Sequence, residues 1–494
     1  MGQMRFLVPR PDRIQDSSLQ RAYLAGGDHI PWQTDVRWDG RVLIADREVR
    51  ESGHFYMPWQ IDGHGEYMLS TASLMERKGP YLLPVELARG TLHRLRTQLH
   101  GWQLAQFTPS PPVQEKLSAA QLALIGAATS QGDPVIAGDL AEEALRLTFD
   151  ALELVTRDFT RSVLALRHQQ TPQLSTLLGA PIDQPPSGKV AKWFQAAFNT
   201  AVIPLAWSQI QPTEHAWEWE LTEAQWQWSR EQGMKIIAGP LLRPNRRCLP
   251  AWLDPVSRDF DLLLQRVCTF VEATVQRLQG RVHVWHVAAG MNVEPAVRMS
   301  EEERLRLTVA AIERVRRLDP RTPVIVSFDQ PWGESMARRH LELSPLHFAD
   351  MLVRSDLGVA GLGLEMNFGY VPGGSSPRDF CDIGRQLDQW ATLGLPLVAL
   401  LTLPSSATPD PLASESSRTL ERFGPHGPSL DQQRKSTERL VEFLLAKQAV
   451  HGIVWNQLRD DLPHDWPHGG LFEDDQNRKS AIEVLADLRK QHLT

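Results

Sequence analysis

Several protein classes are excluded by what this sequence has little of. It contains three cysteines in 494 residues, and their odd number and scattered positions imply neither a disulfide framework nor a CxxC metal site. The N-terminal residues include no apolar stretch of signal-peptide length, and no run elsewhere is long enough to span a bilayer. We therefore expect a cytoplasmic protein without a membrane partner.

An excess of positive charge is missing as well. The chain has 52 lysines and arginines against 59 aspartates and glutamates, a net charge of −7, and no basic cluster. A nucleic-acid partner is therefore not expected. No HExxH motif or carboxylate cluster accompanies the histidines, so the sequence implies no metal and no other cofactor. The oligomeric state stays open.

What is present fits a globular protein of two or three domains, since 42% of the residues are hydrophobic and 22% are charged. Residues 20–80 predict short strands, with hairpins over residues 36–44 and 55–69. Helical patterns then begin at Pro84, after Pro112 and at Asp139, where Glu142 lies three residues on.

These patterns divide the N-terminal third of the chain in two. We expect residues 1–110 to form a β-hairpin-rich domain that ends in a helix, and residues 111–170 to form a helical connector. No chemical motif occurs in either part. A sugar-binding module, an oligomerisation element and a brace for the following domain all remain open as roles.

From about residue 171, short apolar runs alternate with amphipathic helices, which is typical of βα units. Eight runs predict strands, at residues 174–179, 200–205, 235–238, 282–287, 324–327, 361–367, 397–401 and 452–455. The predicted fold class is therefore α/β, a (β/α)8 TIM barrel over residues 171–494 that follows an N-terminal α+β region of short β-hairpins and helices. In such a barrel the chemistry lies at the C-terminal ends of the strands.

Short motifs accompany the predicted strands. They are Phe198-Asn199 with Trp207, Gly239-Pro240-Leu241-Leu242, Val284-Trp285-His286-Val287, Gly361-Leu362-Gly363-Leu364 and Val454-Trp455-Asn456. In this order and spacing they resemble the motifs of family 10 glycoside hydrolases, the xylanase family. The resemblance implies a carbohydrate-active barrel with a saccharide ligand.

The catalytic residues that the resemblance implies are absent. In that family a Glu at the end of the fourth strand is the general acid/base and a Glu on the seventh strand is the nucleophile. Here the two positions fall on Gly290, within Ala289-Gly290, and on Thr402. Retaining hydrolysis requires both carboxylates. We therefore expect a protein that is not an ordinary xylanase.

Three other acids are candidates for a catalytic role. Glu365 ends the sixth predicted strand, and period-two alternation places it on the same face as Asn367, towards the barrel mouth. The alternative is a structural Glu365 paired with Arg243 or Arg459. Asp329 ends the fifth strand and Glu334 follows in its loop; for these two a structural role is the favoured alternative. Glu294, beside Pro295, is a further acid that we expect to lie in a loop.

Aromatic and amide side chains near the same strand ends are candidates for sugar binding. Indole faces stack on sugar rings, although a tryptophan is more often a core residue. The predicted set comprises Asn292, Asn367, Tyr370, Asn456, Trp207, Trp332 and Trp455.

Three functions remain open at this point. The first is a glycoside hydrolase with relocated carboxylates, one of them Glu365. The second is a catalytically inactive barrel that binds a saccharide or serves as a scaffold. The third is a barrel enzyme of other chemistry, because fold alone does not determine function.

Overall fold

A computed structural model describes residues 2–254, 259–293, 297–414 and 417–493 of the protein. The strands of its N-terminal region are β1 (Gly2–Leu7), β2 (Tyr23–Ala25), β3 (Thr34–Trp38), β4 (Val42–Arg47), β5 (His54–Ile61), β6 (Gly65–Ser70) and β7 (Tyr81–Leu82). They form a four-stranded sheet in the order β3-β4-β1-β7 and a three-stranded sheet in the order β2-β5-β6. Both predicted hairpins are confirmed, as the antiparallel pairs β3-β4 and β5-β6.

Helices complete the N-terminal region. They are α1 (Asp16–Leu19), α2 (Leu83–Leu104), α3 (Pro111–Thr129) and α4 (Pro134–Gln170). Leucines of α2 and α3 pack on α4 in one apolar cluster that also includes Trp102. The predicted start of the third helix at Asp139 is wrong by five residues. The helix begins after Asp133, whose side chain accepts hydrogen bonds from the backbone amides of Val135 and Ile136.

The remaining chain forms a closed barrel of eight parallel strands. Its strands are β8 (Leu177–Pro181), β9 (Thr200–Ile203), β10 (Lys235–Ala238), β11 (Val284–Ala289), β12 (Val324–Asp329), β13 (Val359–Asn367), β15 (Leu397–Thr402) and β17 (Val450–Trp455). They close in the order β10-β11-β12-β13-β15-β17-β8-β9. All eight predicted strands are present and the predicted TIM barrel is confirmed, although the first strand begins three residues later than expected.

Helices surround this barrel and bury its outer face. They are α5 (Gly188–Ala197), α6 (Trp207–Ile210), α7 (Glu220–Glu231), α8 (Phe260–Leu278), α9 (Glu301–Leu318), α10 (Pro345–Arg354), α11 (Phe380–Ala391), α12 (Leu430–Ala446) and α13 (Ser480–His492). The largest apolar cluster of the protein lies between strands and helices. Two short strands, β14 (Tyr370–Val371) and β16 (Arg418–Thr419), join the loops that follow β13 and β15.

The N-terminal region packs against the loops at the C-terminal ends of the fifth to seventh barrel strands. The backbone amide of Met68 donates to the carbonyl of Pro377 (2.8 Å), and that of Glu66 donates to the carbonyl of Arg422 (3.0 Å). Arg338 donates hydrogen bonds to four N-terminal carbonyls, those of Leu19, Gln20, Ala22 and Thr34. These contacts bring the N-terminal region to one side of the barrel mouth.

Two kinds of feature, a membrane-spanning helix and a cluster of metal-ligating side chains, are absent from the described residues. None of the helices in these ranges is both long and apolar enough to cross a membrane. Over the same ranges, no group of three or more His, Cys, Asp and Glu side chains is arranged to hold a metal ion.

Candidate active site at the barrel mouth

Polar side chains form a layer inside the barrel at its C-terminal end. Below them lies an apolar layer made of Val202, Ile237, Ile325, Val398, Leu400 and Val454. Inward-facing positions recur every second residue along a strand. The next inward positions above the apolar residues are therefore Ser327 on β12, Thr402 on β15 and Asn456 directly after β17. The sequence changes from apolar to polar at this height on several strands at once.

Glu365 lies in this polar layer and is only 2% exposed. Its Oε2 accepts hydrogen bonds from Nδ2 of Asn456 (2.8 Å) and Nδ2 of Asn367 (3.2 Å), and its Oε1 accepts one from the hydroxyl of Ser327 (3.3 Å). We call Glu365, Asn367, Asn456 and Ser327 the mouth cluster. All three donors are neutral, so the buried carboxylate is held by hydrogen bonds rather than by a direct ion pair.

Neither arginine considered as a partner of Glu365 forms an ion pair with it. Arg459 pairs instead with Asp461 and Asp475. Arg243 lies close enough for its charge to interact with Glu365, but it makes no ion pair within 4.0 Å in the described part of the chain. The predicted position of Glu365 at the mouth is what the structure shows, and its role there stays a prediction.

A buried histidine lies beneath the mouth cluster. Nε2 of His286 is 2.9 Å from the hydroxyl oxygen of Ser327. Burial and, to a lesser extent, the charge of Arg243 lower the pKa of His286 to about 3. His286 is therefore neutral at physiological pH and serves to orient the Ser327 hydroxyl.

Asp329 ends β12 next to the end of β11. A methyl group added to Gly290, which has a φ of +67°, would lie 3.2 Å from Oδ2 of Asp329. The carboxyl group of Asp329 thus lies beside the position where a fourth-strand side chain would begin. Asn292 fixes the backbone of Asp329 by accepting from its amide (3.0 Å) and donating to its carbonyl (2.7 Å).

The ionisation of Asp329 is shifted by its surroundings. Its Oδ1 is buried and has no hydrogen-bond partner. Burial raises the pKa of Asp329 to about 7; the charge of Arg243 opposes this rise, and the charges of Glu365 and Asp465 add to it. Asp329 and Glu365 are also register partners on neighbouring strands. The mouth therefore holds two adjacent acids, one of which titrates near neutral pH.

The predicted tryptophans are not free to stack on a ligand. Trp207, Trp332 and Trp455 are 2%, 5% and 2% exposed. Trp207 stacks on Phe270 of α8 (4.8 Å between ring centroids), and the indole of Trp455 donates to the carbonyl of Gly469 (2.9 Å). These indoles belong to the core between strands, helices and loops.

Two more candidates are Glu334, which lies away from the mouth cluster, and Tyr370, which lies under the loops that cover it. Glu334 accepts a hydrogen bond from Arg378 (2.9 Å), which also lies over the Trp332 ring and contacts the N-terminal region. Tyr370 is fully buried against Trp466 (5.0 Å between ring centroids), and its hydroxyl has no partner among the described residues. Glu294 lies outside the described residues.

The sequence analysis named Arg243 only as a partner of Glu365, and it did not single out two other charged residues near the mouth, Asp183 and Asp465. Arg243 follows β10, Asp183 follows β8, and Asp465 lies in the loop after β17, where it pairs with Arg247 (3.4 Å). Burial raises the pKa of Asp183, and the charge of Arg247 opposes the rise. Its place two residues after a strand was a usable signal for Asp183, whereas a residue deep in a long loop, such as Asp465, offers none.

Comparison with known proteins gives no family. No family model matches the chain, and no curated protein does. Similar solved structures include xylanase 10B from Thermotoga petrophila RKU-1 in complex with xylobiose, with 16% identity, a TM-score of 0.47, and coverage of 64% of this chain and 94% of that one. Xylanase B from Clostridium stercorarium F9 has 18% identity and a TM-score of 0.47, with coverage of 66% and 99%. These xylanases are what the chain is similar to, and the barrel itself is established by the strand pairing described above.

Proposed function

We propose that the barrel mouth binds a saccharide and that the protein is a glycoside hydrolase with relocated carboxylates, in which Asp329 is the proton donor and Glu365 the second acid. The observation that carries this proposal is the position of the Asp329 carboxyl group beside Gly290. The resemblance implies a general acid at the end of the fourth strand. A carboxyl group from the fifth strand lies in that place.

The chemistry of Asp329 suits this role. A general acid works best when its pKa is near the operating pH, and burial raises the pKa of Asp329 to about 7. Its Oδ1 has no partner within the described residues, so its hydrogen-bonding capacity is unused in the folded protein. Asn292 holds the Asp329 backbone, so that proton transfer needs no rearrangement of the strand end.

Glu365 is suited to a different task. Its three neutral donors leave its negative charge without a directly bound cation. Such a charge in a half-enclosed site stabilises the oxocarbenium-like transition state of glycoside cleavage. Thr402 lies where the resemblance implies a nucleophile, and a hydroxyl cannot replace that carboxylate. We therefore propose direct attack by water rather than a covalent glycosyl-enzyme intermediate. The water loses its proton to the Asp329 carboxylate that remains after the leaving group has been protonated, which restores the acid.

A catalytically inactive saccharide-binding protein is the second candidate. It is favoured by the hydrogen bonding of Glu365, because both carboxylate oxygens already accept bonds from protein donors. In that case Asn456, the half-exposed member of the mouth cluster, would contact the sugar hydroxyls.

The test separates acid catalysis from binding by the choice of leaving group. A panel of 4-nitrophenyl glycosides identifies the sugar accepted, and an oligosaccharide of that sugar then serves as an unactivated substrate. Asp329→Asn should slow oligosaccharide hydrolysis by about 10²- to 10⁴-fold, the typical contribution of proton transfer. Hydrolysis of the nitrophenyl glycoside should change far less, because nitrophenolate leaves without a proton. Wild-type oligosaccharide hydrolysis should decline above pH 7.

Two controls accompany this measurement. Asp388→Asn removes an exposed carboxylate on α11 and should leave both rates unchanged. Xylan should release no reducing sugar above a buffer control. If Asp329→Asn slows both substrates equally, Asp329 is not the acid. If sugars bind without turnover, and Glu365→Gln shifts their affinity by only about 0.5 to 1.5 kcal/mol, the binding function is correct.

A further inference from the structure

Arg243 is a charged side chain at the barrel mouth whose donors are unused. It follows β10 by five residues, on a segment that continues the barrel through the bridge between Leu242 and Ala288. The side chain is half-buried. None of its nitrogen atoms donates a hydrogen bond to a described residue, although a guanidinium carries five N–H donors.

The carboxylates around Arg243 are engaged elsewhere or lie too far away for contact. Asp329, Glu365 and Asp465 all act on its charge, yet none of them lies within 4.0 Å of it. Glu365 accepts its three hydrogen bonds from the mouth cluster and from no cation. Asp465 pairs with Arg247 (3.4 Å). The guanidinium therefore has charged neighbours but no bonded acceptor among the described residues.

The loop around Arg243 adds positive charge on the same side of the mouth. Arg246 and Arg247 follow within four residues, and Arg246 is exposed. The planar guanidinium matches a carboxylate with two parallel hydrogen bonds, which makes arginine the preferred side chain for this group. A neutral sugar would leave these donors to water.

We propose that Arg243 binds the carboxylate of a uronic acid, so that the saccharide accepted by this site is an acidic one. This inference rests on the proposed saccharide-binding function and names its substrate class. Arg243 acts as a specificity-determining residue, because it contacts the charged substituent and not the bond that breaks.

Matched sugars test the inference, since glucuronate and glucose differ only at C6. Their affinities for the intact protein are measured by calorimetry at low salt, together with those of the uronic acid and neutral sugar of the galactose series. The wild-type protein should bind the uronic acid about 10- to 100-fold more tightly than its neutral counterpart, as one charge-assisted contact allows. Arg243→Gln should abolish this preference without weakening the neutral sugar, and Arg243→Lys should retain part of it.

Arg246→Gln is the matched control, since it removes a charge from the same loop and should preserve the preference. Thermal unfolding of each variant confirms that it is folded. Equal affinity for acidic and neutral sugars, or a preference that survives Arg243→Gln, overturns the inference and leaves the proposed function standing. A preference lost in Arg246→Gln alone assigns recognition to the rim and also overturns it. Absence of binding by every sugar of the panel contradicts both proposals.

Discussion

Buried charged side chains occur in two regions of this protein, and the regions differ in how these side chains are paired. Between the N-terminal region and the barrel, Arg378 contacts Glu334 (2.9 Å) and Asp382 (3.1 Å), and Arg94 contacts Asp379 (2.6 Å). We call these five residues the docking network. At the barrel mouth, by contrast, neither Arg243 nor Asp329 has an ion pair within 4.0 Å in the described part of the chain.

This difference separates structural from functional use of charge. A buried charge without a partner is costly, and ion pairing is the usual remedy. The docking network follows that rule and holds two parts of the chain together. Some charged groups in a concave site have shifted pKa values and no direct partner. Such groups mark places where a ligand or a reaction supplies the missing interaction. The comparison predicts opposite effects for mutations in the two regions.

Arg378→Ala should give the largest loss of stability. It leaves the half-buried Glu334 without its cation and leaves the buried Asp382 paired only with Arg385, and breaking a buried ion pair in this way costs about 3 to 5 kcal/mol. Urea unfolding followed by circular dichroism measures the change. The control is Arg354→Ala, whose exposed pair with Asp350 on α10 should contribute no more than about 0.5 kcal/mol. Equal losses for the two variants would show that the docking network does not stabilise the fold.

Asp329→Asn should raise the free energy of unfolding instead of lowering it, and the size of this gain should depend on pH. The folded-state pKa of about 7 exceeds the ordinary value of 3.8, so the native protein binds the proton more tightly than the unfolded chain. Wild-type stability from this group is therefore present below pH 4 and is lost as the pH rises to about 7. The variant should gain stability relative to wild type over that range, by roughly 4 kcal/mol at most. Unfolding curves at pH 4 and pH 8 measure this, and a difference that does not change with pH contradicts it.

Arg338→Ala should produce a smaller loss. Its guanidinium donates to four carbonyls of the N-terminal region, but it is exposed at the surface, where water replaces part of each bond. We expect a loss of about 2 kcal/mol, within the range of charged hydrogen bonds. Arg321→Ala, an exposed arginine with no side-chain hydrogen bond to the described residues, is the comparison. Limited proteolysis should also cut the N-terminal region faster in Arg338→Ala than in this control.

Much of the barrel could be predicted from the sequence because buried parallel strands are continuous apolar runs. All eight were found this way. The strand β1 was missed because its partners β4 and β7 are distant in sequence and no local turn sequence indicates it. The start of α4 was missed because Asp139 and Glu142, which have the spacing of a helix start, lie inside the helix. The true cap is Asp133, which precedes a proline at the first helical position.

The candidate site could be predicted only in part. Alternation along β13 was sufficient to place Glu365 and Asn367 together, because both lie on one strand. The approach of Asp329 to Gly290 and the isolation of Arg243 depend on neighbouring strands and loops, which local pattern does not describe. The tryptophans were predicted to face a ligand from their residue type alone, and the packing of Trp207 on Phe270 was not visible in the sequence.

The N-terminal region packs on only some of the loops at the barrel mouth. These loops should tolerate redesign less well than the loops that it does not contact. Segments after the fifth to seventh strands carry hydrogen bonds to that region, such as the one from Met68 to Pro377, so a change in their length disturbs an interface. The loop that bears Arg243 has no side-chain hydrogen bond to residues 2–170 among the described contacts. A library of variants restricted to residues 243–249 therefore offers a route to new substrate selectivity that leaves the interface with the N-terminal region undisturbed.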